Sequence, residues 1–340
     1  MRKFTMLRKF APLAAVVIVA PLLAACGESP ESSESDVVIG YAGAIQSNPN
    51  NKAVEDAIRV KVEELGGRLV VTDAQFDASK QLTDVQSLIN QRVDALVVWP
   101  VDPLGLQPAL LTAQQAKIPV IVQHTTQGGP YTSNFQGDDE QAAVRAAQLI
   151  AEKVGHGAGV AQIEGVTAVG VLAARNNGFV AGTKSAGLDI LAHQINQADS
   201  ADGARPIVDA WKASLGSKIK AIFAYNDPSA LGAASALDAN FTPLIVGMNG
   251  SQEGVDAVKD GRLLATVDFH PVRQGFGLGW AAVQAAAGKP LPATVNVEST
   301  IITKDNAESW QPVAAQLKTA VDVSIVERDG QHFLTVTARP

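Results

Sequence analysis

Residues 94–100 read DALVVWP, and residues 220–227 read KAIFAYND. Each is a short apolar run entered from a charged residue, left through Pro or Asn-Asp, and preceded by a window of helical periodicity. An apolar run without alternation, bounded this way, fits a strand buried on both faces, as in a parallel sheet covered by helices. The two runs stand about 126 residues apart, close to the spacing between the first apolar runs of each half, at Val37 and Gly159. One strand–helix series occurring twice predicts an α/β chain of two doubly wound parallel-sheet lobes.

Outward from these runs the pattern is regular. The first series predicts strands at 37–42, 68–72, 95–99 and 118–123, with a short one near 133–137 at a crossover. Between them lie helices, the first with Val54, Ala57, Ile58, Val62 and Leu65 on one face. The second series predicts strands at 160–163, 188–193, 221–225, 244–248 and 263–267. In such sheets ligands sit outside the carboxyl ends of the strands, so two facing lobes imply a cleft lined by the residues after each strand. After the first strand come Gln46, Ser47, Asn48, Asn50 and Asn51, five amide or hydroxyl side chains within six residues. A turn and a helix N-cap account for one or two of them; the rest suit hydrogen bonding to a neutral polar ligand. Further strand ends carry Asp102, Gln123-His124, Glu164, Asn226-Asp227, Asn249 and Phe269-His270, with Arg175 in a following helix. Amides, carboxylates and a guanidinium satisfy vicinal hydroxyls two at a time, which points to a sugar or polyol.

The 340 residues are 46% hydrophobic and 18% charged, a folded composition, and the length is a prior for about two domains. The net charge of −7, with no basic run after residue 9, excludes nucleic acid as a partner. Five histidines without i,i+4 pairing and a single cysteine predict no metal site, and no Walker loop or GxSxG elbow is present, so neither a cofactor nor catalysis is expected. Gly275, Gly277 and Gly279 lie inside a helical window and read as helix packing; Trp99, Trp211, Trp280 and Trp310 read as core. At the amino end, Arg2, Lys3, Arg8 and Lys9 precede an apolar stretch of 16 residues, 10–25, too short for the roughly 20 of a spanning helix. Residues 1–25 therefore read as a secretory signal. Without them the chain carries 23 basic and 34 acidic side chains, a net of −11. Residues 26–36 are acidic and Ser-rich, a flexible tether.

Several of these segments resemble known families. Residues 23–27, LAACG, resemble a bacterial lipobox, which implies lipid attachment at Cys26 and an extracytoplasmic, membrane-anchored protein. The body resembles the type I periplasmic sugar-binding proteins, the ribose-binding group of ABC-transporter receptors. The markers are Asn48-Pro49, DALVVWPVDP at 94–103, Ile118-Pro119-Val120, Arg175-Asn176-Asn177-Gly178-Phe179, AIFAYNDPSALG at 221–232, Val246-Gly247-Met248-Asn249-Gly250 and residues 261–266, in order.

The resemblance implies that Asn48, Arg175 and Asn226 contact the sugar. It also marks departures: Asn50-Asn51 stand where the family stacks two aromatic rings, Gln123-His124 replace an Asp-Arg pair, Asn249 replaces an aspartate, and Phe269 replaces a glutamine and supplies one apolar wall. These departures favour a ligand smaller or more polar than ribose, such as a polyol. Asp138 completes the candidate ligand-binding set. The resemblance further implies closure about three hinge strands, crossing near 136–137, His270 and 291–295, with an amino-terminal lobe of 37–136 plus 270–292 and a carboxy-terminal lobe of 137–269 plus 293–306. The closed monomer would dock on an ABC permease. Residues 307–340 extend past the family's usual end and read as an added hairpin with an Asp-Gly turn at Asp329-Gly330. Two alternatives differ in use of the same cleft: a receptor for a sensor or chemotaxis protein, and a carbohydrate enzyme drawing a carboxylate pair from Asp102, Asp138, Glu164 and Asp227.

Overall fold

In the computed structural model, which describes residues 37–125, 128–167 and 169–339, β1 (Val37–Gly43) leads into α1 (Pro49–Glu64). The helix starts where Asn48 accepts a hydrogen bond from the Asn50 N–H at 2.9 Å and Pro49 fills the first turn. The series continues with β2 (Gly67–Asp73), α2 (Ala78–Asn90), β3 (Ala95–Val98), α3 (Gln107–Gln115), β4 (Val120–Gln123) and β5 (Ser133–Gly137). Every residue of β3 and β4 is buried, as a central strand between two helical layers requires. The chain then crosses to α4 (Asp139–Val154), β6 (Gly159–Glu164), α5 (Gly170–Ala186), β7 (Asp189–Ile195), α6 (Ala201–Leu215), β8 (Ile219–Ala224), α7 (Asp227–Ala234), β9 (Leu244–Asn249), α8 (Gln252–Lys259) and β10 (Ala265–Asp268). It returns through α9 (Pro271–Ala286) and β11 (Thr294–Val297), crosses again to β12 (Thr300–Thr303), and ends with α10 (Val313–Gln316), β13 (Val321–Arg328) and β14 (Gln331–Ala338). The signal segment, the tether and Cys26 lie outside the described residues. Among those described, no helix is long and apolar enough to cross a membrane.

The first sheet runs β2-β1-β3-β4-β5 and the second β7-β6-β8-β9-β10, the same parallel order twice. In each the order reverses beside the first strand, so β1/β3 and β6/β8 flank a crevice at their carboxyl ends. β12 closes the second sheet antiparallel to β10, while β11, β14 and β13 extend the first.

Two boundaries differ from expectation. Residues 293–297 belong to the first lobe, because β11 pairs in parallel with β5 and buries Val295 and Val297 in that core. The third crossing therefore falls at Glu298-Ser299 instead of 291–295. The final segment is also more than a hairpin appended to one lobe. Ala307 and Trp310 pack with the second-lobe core, whereas Val313, Leu317 and Val321 pack on the first lobe against Ala53, Ala57 and Phe276. Gln311-Pro312 is thus a fourth connection between the lobes.

The α9 glycines do pack a helix. A Cβ on Gly275 would stand 2.4 Å from the Val54 carbonyl oxygen, so glycine is what lets α9 lie against α1.

Candidate ligand-binding cleft

Segments following β1, β2, β3, β6, β7 and β8 meet at a cavity of about 590 Å³ between the two lobes. Of the expected residues, Asn48, Asn50, Asn51, His124, Arg175, Asn226, Asn249 and Phe269 line it. A hydrogen bond spans the cleft, from Asn50 Nδ2 to the Asn249 carbonyl at 3.4 Å.

Arg175, on the first two turns of α5, is buried and organises one side. Its Nε donates to Asp139 Oδ1 at 2.8 Å, and its Nη1 donates to Asn249 Oδ1 at 2.8 Å and to the Tyr225 carbonyl at 3.0 Å. Its guanidinium lies 4.3 Å from the centroid of the Phe269 ring. A second cluster centres on Asp199, whose Oδ1 accepts from Asn226 Nδ2 at 2.6 Å and from the Tyr225 hydroxyl. Burial and then the neighbouring Asp199 push the Tyr225 phenol up, so it stays a neutral donor. Asn226 caps α7 through Oδ1, accepting from the Ser229 N–H at 2.9 Å, which leaves its amide nitrogen toward the cleft.

His124 meets Gln274 Nε2 at 2.9 Å through Nε2, and its Nδ1 lies 3.9 Å from Asp139 Oδ2. Burial is the main cause that holds its imidazole below the usual value, against the pull of Asp139. At neutral pH it is an uncharged ring. Its edge meets Trp99, with centroids 6.2 Å apart, and Trp99 meets Phe76 at 6.4 Å.

Two expected residues are displaced. Gln123 is buried in the first lobe and is not among the lining residues, because β4 is covered on both faces. Asp138 serves the crossing: Oδ2 accepts from Arg145 Nη2 at 2.7 Å and Oδ1 from the Ser299 N–H at 3.0 Å. The next residue, Asp139, is the one that faces the cleft. Trp99 corrects another expectation, since it lines the cleft half-buried instead of joining the core. Phe76, Asp139, Asp199, Tyr225 and Gln274 are cleft residues that the sequence reading did not single out; Trp99 and Tyr225 directly follow strands β3 and β8, a signal that was available. The carboxylates of an enzymatic pair are not assembled from the four named: Asp102, Asp138, Glu164 and Asp227 are absent from the lining, which takes Asp139 and Asp199. Among the described residues no group of three or more His, Cys, Asp or Glu is placed to hold a metal.

Backbone strain gathers here. Phe76, His124, Asp199, Asn249 and His270 all have positive φ, from +48° to +126°, and lie in the cleft or at the crossing beside it. Such conformations persist where surrounding structure fixes them, and they concentrate at binding sites.

Residues 39–290 match the family model of the periplasmic binding protein domain. RbsB, the ribose import binding protein of Bacillus subtilis, is 29% identical over 295 residues, covering 83% of this chain and 95% of its own. The xylitol-binding protein of Mycolicibacterium smegmatis is 30% identical over 247 residues, covering 71% of this chain and 70% of its own. In fold, an ABC-transporter solute-binding protein from Bacillus halodurans with bound myo-inositol superimposes with a TM-score of 0.73 at 23% identity, over 82% of this chain and 98% of that one. These relatives are binding proteins, not enzymes, and with the family model spanning most of its length the chain belongs to the type I periplasmic sugar-binding proteins.

Proposed function

We propose that this chain is the lipid-anchored, extracytoplasmic receptor of an ABC transporter, binding one monosaccharide or polyol between its lobes and delivering it to a membrane permease. The observation that carries this reading is the cleft itself. Its polar groups come from strand ends of both lobes, and Arg175 holds Asp139 and Asn249 in one hydrogen-bonded array. A ligand there would be gripped by both lobes and would favour the closed form by its differential contacts. Relatives named for ribose and xylitol support a small polyhydroxylated ligand. Cys26 within LAACG supports the anchor, and the two cleft carboxylates, Asp139 and Asp199, are engaged by Arg175 and by Tyr225 and Asn226, which favours binding without turnover.

A thermal-shift panel of pentoses, hexoses, tetritols and inositols tests the proposal. Ligand at 100-fold above Kd adds about 2.7 kcal/mol of stability. At roughly 2–4 °C per kcal/mol for a chain of this size, melting rises by several degrees with the right ligand. No shift with any member of the panel would sink the sugar reading.

A further inference from the structure

We infer that residues 307–339 act as a strap that limits how far the two lobes open, so that the ligand-free chain stays near its binding-competent arrangement. This rests on the closure that the proposed function requires and names the element that restrains it.

The strap is anchored on both lobes. On the second lobe Ala307 is fully buried in the core and Trp310 packs against that core. Trp310 also donates from Nε1 to Asp268 Oδ2 at 2.9 Å, at the carboxyl end of β10, just before the chain crosses to α9. On the first lobe Val313 and Leu317 join the apolar cluster of Ala53, Ala57, Val272 and Phe276. That cluster belongs to α1 and α9, the helices whose opening turns supply Asn50, Asn51 and Gln274 to the cleft. The hairpin beyond fastens this end, because Arg339 donates to Glu64 Oε1 on α1 and to Asp322 Oδ1 on β13, each at 2.8 Å.

Between the anchors there is little slack. From Trp310 to Val313 the chain takes three residue steps, at most about 11 Å when fully stretched. Trp310 and Pro312 are already extended, with ψ of +138° and +149°. Gln311 precedes a proline, whose ring disfavours the helical region for it and so keeps it extended as well. A rotation that carries the anchors apart must therefore unseat Trp310 or Val313. Either loss exposes apolar surface, and loss of Trp310 also takes a donor from the buried Asp268 carboxylate. Three crossings permit a hinge; the fourth, taut and packed at both ends, bounds its range. Among the described residues none of 307–339 lines the cleft, so the strap acts on affinity only through the spacing of the lobes. The larger the binding-competent share of the ligand-free population, the tighter the apparent binding.

The test uses the full-length chain and two variants. A Gly-Ser-Gly-Ser insertion between Gln311 and Pro312 keeps both anchors and adds about 14 Å of slack. Trp310→Ala releases the second-lobe anchor without lengthening the chain. Small-angle scattering without ligand should give a larger radius of gyration for the insertion variant than for the wild type. The decrease in radius on adding ligand should be larger in that variant too. Calorimetric titration should show its affinity for the best thermal-shift ligand weakened by roughly 10-fold, as the competent share falls to about a tenth. An insertion variant with the wild-type ligand-free radius would overturn the inference and leave sugar binding intact. Should the insertion abolish the melting transition, Trp310→Ala decides in its place, and a wild-type radius there would overturn the inference equally. Failure of every sugar to bind would remove the affinity readout together with the proposed function, while scattering from the ligand-free chains still decides the strap.

Discussion

Asp227, the first residue of α7, is a carboxylate enclosed by the second lobe. Thr266 Oγ1 donates to it at 2.5 Å and the Ser251 N–H at 2.8 Å, and a Cβ on Gly254 would stand 2.3 Å from its Oδ2. Burial pushes its pKa up to about 6, above the Thr266 and Ser251 contacts that lower it. An unfolded aspartate releases its proton near pH 3.9, so between about 4 and 6 the folded chain binds more protons than the unfolded one. The stabilisation from this group is complete below pH 4 and is lost as pH rises through 6, a change of about 3 kcal/mol. Urea unfolding at pH 4 and pH 7 checks it: the stability of the wild type relative to Asp227→Asn falls by about that amount, and a pH-independent difference would refute the assignment. At this scale the sequence was legible where a strand end dictates position, as for Asn226, Asn249 and Phe269. It misled where one residue of register decides the partner: Asp138 ties the crossing to Arg145 and Ser299, while Asp139 faces Arg175.

Among elements, β13 and β14 are held to the first lobe by packing and by one buried cation. Leu334 is 4% exposed and joins the first-lobe core, and Lys61, 2% exposed, donates from Nζ to the Val321 carbonyl at 2.9 Å. Truncating a buried leucine removes its transfer free energy and leaves a cavity, so Leu334→Ala destabilises by about 2–5 kcal/mol in chemical denaturation. A loss near zero would mean that the hairpin is dispensable to the first-lobe core. Strand and helix positions were legible because period 2, period 3.6 and Gly stops are local signals. The place of β11 was not, since its partner β5 lies some 160 residues earlier and four residues TVNV carry no mark of which sheet they join. Phe76 was equally hidden, because its role depends on a positive φ that no neighbouring residue type announces.

For the whole molecule, the twofold α/β organisation was readable from one repeated series, whereas the number of connections between lobes was not. Crossings at Asp138, at Phe269-His270 and at Glu298-Ser299 are joined by Gln311-Pro312. The second, third and fourth converge. Asp268 accepts from the His270 N–H at 2.7 Å and from Trp310 Nε1 at 2.9 Å, while His270 Nε2 meets Thr300 Oγ1 at 2.8 Å. The proposed closure on a ligand would pivot about this cluster, and small-angle scattering should then show a smaller radius of gyration with ligand than without; an unchanged radius would argue against closure. The central claim, that the cleft binds one ligand and that Arg175 and Asn226 supply the second lobe's hold on it, is tested most directly by calorimetric titration of the best thermal-shift ligand into the wild type, Arg175→Ala and Asn226→Ala. The account predicts one binding event per chain in the wild type and, in each variant, an affinity loss of about 30-fold or more, equivalent to about 2 kcal/mol. Unchanged affinity in both variants, with their folds intact, would contradict it.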